Sequence, residues 1–289
     1  MAGLAAAAVL ASQVAGAGGA AAAGRHRGGG PVDVLYAGSL VDLMEHAVGP
    51  AFDGATGYTF SGYAGGSDAL AAEIRGRTQL ADVFVSASPK VNATLEGPTN
   101  GHWVSWYAAF ATSPLVLGYN PRSAFAARLR SRPWYEVVTA PGFLLGRTDP
   151  ATDPKGALAV EALEGAAAAH RLPALRTAAA GTAGVFPEET LVGRLQSGQL
   201  DAGFFYAAEA AAAGIPTVPL TGVRLGATYT VTALDRAPHA KAARAFLAYL
   251  LGRQGRTVLL RHGLSPVAPP AVAGARHVPK DLRATLHVR

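Results

Sequence analysis

Two serine residues early in the chain each follow a glycine and begin a stretch whose apolar residues recur with the spacing of a helix. They are Ser39, after Gly38, and Ser67, after Gly66. The start of a helix carries unpaired N–H groups and a partial positive charge, so it can bind an anion. Two such starts close together in the sequence predict a cleft that holds a small anion. The alternative is that both serines are ordinary helix N-caps, a position that serine favours.

Two later segments pair an acidic residue with a proline, Asp153 with Pro154 and Glu188 with Pro187. Proline is favoured at the first helical position, so both segments predict the start of a helix. In one interpretation Asp153 is an N-cap, and Glu188 and Glu189 are first-turn acids that face away from any ligand. In a second, these carboxylates bind a hard cation such as calcium, although few oxygen ligands cluster around them. A carboxylate beside a dianion would be repelled, so an anion cleft that includes them needs a further explanation.

The composition suits a globular protein of two lobes. The 289 residues are 50% hydrophobic and 15% charged, which provides a core for two domains of ordinary size. The net charge is +6, but the basic residues are scattered, without runs or interleaved aromatic residues, and do not predict a nucleic-acid surface. The absence of cysteine excludes disulfides, thiol catalysis and cysteine-ligated metal centres.

Residues 1–30 differ from the rest of the chain. Residues 1–24 are almost entirely alanine, glycine, valine and leucine, and a short basic segment from Arg25 to Arg27 follows. The apolar part ends in small residues such as a signal peptidase accepts, and it is too short and too rich in glycine to predict a membrane span. Secretory signals usually begin with a basic residue, whereas the first one here is Arg25. We interpret residues 1–30 as a signal-like segment and expect an extracytoplasmic protein.

The elements that must position the candidate residues alternate between strands and helices. Strands are predicted over residues 32–36, 58–63 and 81–87, and helices from the Gly38 turn to residue 52 and over residues 68–75. This order predicts an α/β fold, in which a mostly parallel sheet is flanked by helices. Ligands of such sheets bind at the carboxyl ends of the strands, where both serines would lie.

The middle of the chain repeats this alternation. Residues 109–119 predict a strand that leads out of the first lobe, and residues 228–232 predict a strand that returns to it. We therefore expect one lobe from residues 31–115 and 220–289, a second from residues 116–219, and a ligand cleft with a hinge between them. The other predicted elements are strands over residues 143–146 and 202–206 and helices over residues 154–170, 188–195, 241–251 and 253–260.

Several short segments between residues 32 and 266 resemble one family of proteins. They are Tyr36-Ala37-Gly38-Ser39-Leu40, Gly66-Ser67, Ala81-Asp82-Val83, Asp149-Pro150, Asp153-Pro154-Lys155-Gly156, Pro187-Glu188, Gly198-Gln199-Leu200-Asp201-Ala202 and Tyr206. Through them the chain resembles the molybdate/tungstate-binding group of the extracytoplasmic solute-binding proteins of ABC transporters. The resemblance implies a two-lobed periplasmic-binding-protein fold that closes about a hinge. It also implies a non-catalytic role, in which the protein captures the oxyanion and delivers it to a membrane permease.

The resemblance also implies a set of ligand-binding residues. In this group an aspartate and a glutamate bond the metal centre of the oxyanion and expand it from four oxygens toward six-coordinate geometry, which sulfur and phosphorus do not readily allow. Asp153 stands at the aspartate position, and counting ten residues back from Gly198 gives Glu188, with Glu189 as the near alternative. The oxyanion-binding residues implied are Gly38, Ser39, Ser67, Asp153, Pro154, Lys155, Glu188 and Tyr206.

The chain departs from the group at three places. Ser88 follows Ser86-Ala87 where an aspartate is usual, and Lys155-Gly156-Ala157 stands where Cys-Gly-Tyr is frequent. The stretch between Asp153 and Glu188 is short and rich in alanine. These differences all concern the walls of the cleft.

Two further functions compete with capture of molybdate or tungstate. The first is a binding protein for sulfate, phosphate or an organic anion. The second is a hydrolase that uses Ser39 or Ser67 as nucleophile, or Asp153 and Glu188 as a glycosidase pair, although no Gly-x-Ser-x-Gly elbow or histidine partner segment is present. We expect no cofactor, a monomer, and the oxyanion and an ABC permease as partners.

Overall fold

Ten strands form one mixed sheet in the computed structural model, which describes residues 29–289. The strands are β1 Pro31–Ala37, β2 Thr59–Gly65, β3 Val83–Ser86, β4 Tyr107–Tyr119, β5 Leu145–Thr148, β6 Val185–Phe186, β7 Ala202–Tyr206, β8 Thr217–Pro219, β9 Gly226–Ala233 and β10 Ser265–Ala273.

Helices cover this sheet and connect its strands. A 3₁₀ turn, Gly38–Leu40, and a π-helical segment, Met44–Val48, flank the short helix α1 in the first connection. The α-helices are α1 Val41–Leu43, α2 Gly49–Thr56, α3 Ser67–Gly76, α4 Pro89–Ala93, α5 Ala126–Ser131, α6 Trp134–Val137, α7 Pro154–His170, α8 Pro173–Ala180, α9 Glu188–Gln196, α10 Ala207–Ala212, α11 Ala240–Leu251, α12 Arg253–Arg261 and α13 Arg283–Leu286. No helix within residues 29–289 is both long and apolar enough to cross a membrane.

The long strand β4 joins two groups of strands. Its first part, as far as Pro114, pairs with β9 and β10, and its last part, from Leu115, pairs with β7 and β8. We call the half of the molecule built on β1, β2, β3, β9 and β10 lobe I, and the half built on β5 to β8 lobe II. β4 exchanges its partner strands between Pro114 and Leu115, beside the lobe boundary predicted at residue 115. The exact boundaries of the lobes stay a prediction.

The predicted α/β architecture is confirmed. Whether two paired strands run parallel or antiparallel follows from the segment that connects them. β1 pairs in parallel with β2 and β3, and β5 with β6 and β7, because a covering helix returns the chain between these strands. β4 and β9, which connect the lobes, pair antiparallel with their neighbours. Each lobe therefore has a parallel part at its outer side and antiparallel strands where the lobes meet.

Most element predictions agree with the structure, and the differences have local causes. Helix α7 and strand β7 have the predicted bounds, whereas β5 begins two residues later than expected. Strand β10 was not predicted, because its prolines lack the N–H that a regular ladder needs. Its register against β4 is interrupted between Pro266 and Ala271, so the prolines between them make no regular pairs.

Aromatic packing fixes the outer layer of lobe I. Phe52 of α2 is fully buried, and its ring lies 5.3 Å from that of Phe246 and 5.9 Å from that of Tyr249, both on α11. This contact holds α2 and α11 together on the same side of the sheet. The chain that leads into the site through β1 and the Gly38 turn therefore rests on a packed layer.

Candidate functional site

Ser39 and Ser67 lie at the ends of neighbouring parallel strands, as predicted, but neither caps a helix. Ser39 belongs to the 3₁₀ turn after β1, and its Oγ lies 3.0 Å from the hydroxyl of Tyr229 on β9. Ser67 is the first residue of α3, and its Oγ accepts a hydrogen bond of 3.0 Å from the backbone N–H of Ala87. The N-cap interpretation is therefore wrong for both. The hydroxyl proton of Ser67 remains available to another acceptor.

The first amides of α3 contact lobe II directly. The backbone N–H groups of Asp68 and Ala69 both donate to the carbonyl oxygen of Thr152, each at 3.1 Å. These amides were expected to bind an anion, and here they bind the loop before α7 instead. A Cβ at Gly66 would overlap the Thr152 carbonyl and would lie 3.3 Å from Cβ of Asp153. Glycine at this position thus allows the lobes to meet.

Asp153 is the N-cap of α7 and is also buried at the contact between the lobes. Its Oδ1 accepts a hydrogen bond of 2.6 Å from the backbone N–H of Lys155, and Pro154 occupies the first turn. Burial raises the pKa of Asp153 to about 6, against the opposing effects of the Lys155 charge and hydrogen bond. The N-cap interpretation is right here, but the side chain does not face away from the cleft.

Lys155 is fully buried and places its ammonium among acidic side chains. Its Nζ lies 2.7 and 2.8 Å from the two carboxylate oxygens of Glu209 and 3.1 Å from Oε1 of Glu188. Burial alone would lower the pKa of Lys155, but the charges of Glu209, Glu188 and Asp153 outweigh burial and raise it. The ammonium occupies the position that a hard cation would take among these carboxylates, so the calcium interpretation has no support.

Glu188 begins α9 and turns one carboxylate oxygen toward lobe I. While Oε1 contacts Lys155, Oε2 is buried and accepts no hydrogen bond from the described residues. A Cβ at Gly38 would overlap this oxygen, so the glycine leaves room for the carboxylate. Burial raises the pKa of Glu188 well above its ordinary value. Glu189 is exposed, so the direction of α9 places Glu188 rather than Glu189 in the site.

Two buried tyrosines complete the polar wall. The hydroxyl of Tyr206, at the end of β7, has no hydrogen-bond partner among the described residues, and that of Tyr229 contacts Ser39. Their ring centroids lie 5.9 Å apart. Burial, and then the charge of Asp153, raise the pKa of Tyr206, so its hydroxyl is a neutral donor at physiological pH.

The structure brings the predicted site residues together and adds three that the sequence reasoning missed. Glu209 follows Tyr206 by three residues, and its Oε2 accepts the Tyr206 backbone N–H at 3.2 Å, a capping-box spacing that could have indicated a helix start. Tyr229 lies in an alternating strand pattern, and Thr152 acts through its backbone carbonyl. The residue types at positions 229 and 152 do not by themselves indicate that either residue belongs to the site.

The arrangement suits binding better than hydrolysis. A nucleophilic serine needs a general base within hydrogen-bond reach. In residues 29–289, the hydrogen-bond partners of Ser39 and Ser67 are the hydroxyl of Tyr229 and a backbone amide. Burial raises the pKa of Tyr229, so its hydroxyl stays protonated, and neither partner can take the proton of a serine. A buried carboxylate oxygen without a donor is costly, so Oε2 of Glu188 is suited to an electropositive partner.

Comparisons with known proteins identify the family and the fold. A putative molybdenum-binding ABC transporter protein of Haloferax volcanii is 31% identical over 65% of this chain and 59% of its own length. The molybdate/tungstate-binding protein WtpA of Thermococcus kodakarensis is 24% identical over 65% of this chain and 67% of its own. The periplasmic molybdate-binding protein of Azotobacter vinelandii superposes with a TM-score of 0.63 at 19% identity, covering 81% of this chain and 98% of that one, which shows the shared two-lobed fold. The model of the bacterial extracellular solute-binding protein family matches residues 32–265, and the chain belongs to that family.

Proposed function

We propose that this protein captures molybdate or tungstate between its lobes through Asp153 and Glu188. The observation that carries the proposal is Oε2 of Glu188, a buried carboxylate oxygen at the lobe contact that no described residue satisfies. No hydrogen-bond donor of the described residues reaches Oε2 of Glu188. A metal centre that accepts further oxygen ligands can bond to this oxygen instead. The names of the relatives support the same class of ligand.

The remaining site residues suit the oxygens of a tetrahedral dianion. The unpartnered hydroxyl of Tyr206 and the hydroxyl proton of Ser67 are donors, and Ser39 presents a hydroxyl that Tyr229 orients. Gly38 leaves space for Glu188, and Pro154 and the backbone of Lys155 hold Asp153 in its capping position. Hydroxyls thus bind the oxygens while the carboxylates bind the central atom, which removes the repulsion expected between a carboxylate and a dianion.

The family supports an extracytoplasmic setting for this activity, because its description is that of extracellular solute-binding proteins. We propose that the protein captures the oxyanion outside the cytoplasmic membrane and transfers it to an ABC permease, as a monomer and without another cofactor. The signal-like segment predicted over residues 1–30 lies, apart from Gly29 and Gly30, outside the described residues and stays a prediction.

Tungstate and molybdate should stabilise the protein much more than sulfate. A ligand at one hundred times its dissociation constant adds about 2.7 kcal/mol to the free energy of unfolding. Thermal melts of the purified protein in equal concentrations of tungstate, molybdate and sulfate measure this difference. Indistinguishable melts in tungstate and sulfate would contradict the assignment of a metal oxyanion.

Replacing Glu188 by glutamine should weaken tungstate binding by roughly a hundredfold or more, because the amide is a poor ligand for the metal centre. The matched control is Glu189→Gln on the same helical turn, which should keep wild-type affinity because Glu189 is exposed. Isothermal titration calorimetry measures both. If the acid only repelled the anion, Glu188→Gln would bind tungstate as well as or better than the wild type.

Replacing Gly66 by alanine should weaken tungstate binding roughly tenfold or more, because the new Cβ overlaps the Thr152 carbonyl when the lobes meet. The backbone of Gly66, at φ −60° and ψ 131°, accepts alanine without local strain, so any loss comes from the contact with Thr152 and not from the start of α3 itself. Gly193→Ala, on α9 with open space around the added Cβ, is the control and should bind normally. Unchanged affinity in Gly66→Ala would show that this contact is not part of ligand capture.

A further inference from the structure

We infer that Lys155 is a positioning residue for the oxyanion site: held by Glu209, its ammonium fixes Glu188 so that only Oε2 faces the ligand. This inference rests on the proposed function, because it assigns a role to Lys155 in the same binding event. It concerns a position where this chain carries lysine instead of the cysteine that is frequent in the group it resembles.

The hydrogen bonds of the ammonium show why Lys155 acts through Glu188 and not on the anion itself. A lysine ammonium has three N–H donors. The Nζ of Lys155 has three carboxylate oxygens within hydrogen-bond distance, two from Glu209 and one from Glu188. Because these contacts use all its donors, none remains for an oxygen of the ligand. The side chain has no exposed surface from which another approach could be made.

Glu209 anchors the ammonium independently of Glu188. Its two oxygens lie 2.7 and 2.8 Å from Nζ, closer than the 3.1 Å of Glu188 Oε1. One of them, Oε2, also accepts the backbone N–H of Tyr206 at the start of α10. The carboxylate of Glu209 is thus fixed to the end of β7, and through it so is the ammonium.

Glu188 needs such a restraint because the terminal torsion of a glutamate has a broad energy profile. Without a contact on Oε1, the carboxylate could turn either oxygen, or both, toward the ligand. With Oε1 bound to Lys155, Oε2 alone remains free, and it lies beside Gly38. Preorganisation of one oxygen lowers the ordering cost of forming a single bond to the metal centre.

The test is a double-mutant cycle between Lys155 and Glu188, measured with Glu209 in place because that residue holds the ammonium. Removing the lysine leaves the buried carboxylate of Glu209 without its partner, a cost that both arms of the cycle share and that therefore cancels in the coupling. Lys155→Met keeps an unbranched apolar chain of about the length of the lysine's carbon stem and removes the ammonium. The four proteins are the wild type, Lys155→Met, Glu188→Gln and the two changes together, and tungstate affinity is measured for each by calorimetry.

We expect Lys155→Met to weaken tungstate binding at least roughly tenfold when Glu188 is present, and less than about twofold when residue 188 is glutamine. Equal losses with and without Glu188, or no loss in either, would overturn the positioning role and leave the proposed function standing. If the wild-type protein binds no tungstate, the proposed function and this inference fail together. Urea unfolding of the four proteins establishes that each is folded before its affinity is compared.

Discussion

The charge balance around one buried ammonium group determines the form of the site. Lys155 has no exposed surface and lies among Glu209, Glu188 and Asp153, three acidic residues that the fold also buries. Removing several carboxylates from water is very costly unless an opposite charge and hydrogen bonds compensate for it. The ammonium supplies that charge, and it has too few donors to satisfy every carboxylate oxygen. The oxygen left over, Oε2 of Glu188, is the one that faces lobe I.

The contact between the lobes depends on backbone atoms and on the absence of side chains. Gly66 lets the start of α3 reach the Thr152 carbonyl, and Gly38 leaves room for the carboxylate of Glu188. Strand β4 links both lobes because its two parts pair with different strands. In the proposed capture, a ligand that bonds to residues of both lobes favours the arrangement in which they meet.

The sequence predicted the scaffold well because hydrophobic periodicity, glycine turns and the Asp-Pro start are local signals. It located α7, β7 and both serines, and it preferred Glu188 over Glu189 through the family resemblance. It did not reveal that the serines bond across strands to Tyr229 and Ala87, because those partners come from distant parts of the chain. It also missed the pairing of Lys155 with Glu209, which depends on how α7 packs against β7 and α10, and the sequence spacing of these two residues does not indicate it.

The central claim is that the protein bonds the metal centre of the oxyanion and does more than enclose its oxygens. X-ray absorption at the tungsten edge measures this directly, in the purified complex with tungstate and in free tungstate at the same pH. The account predicts a coordination shell that expands from four short oxygen distances to six, the additional two being longer and contributed by Asp153 and Glu188. A bound ion that keeps the tetrahedral spectrum of free tungstate would contradict it.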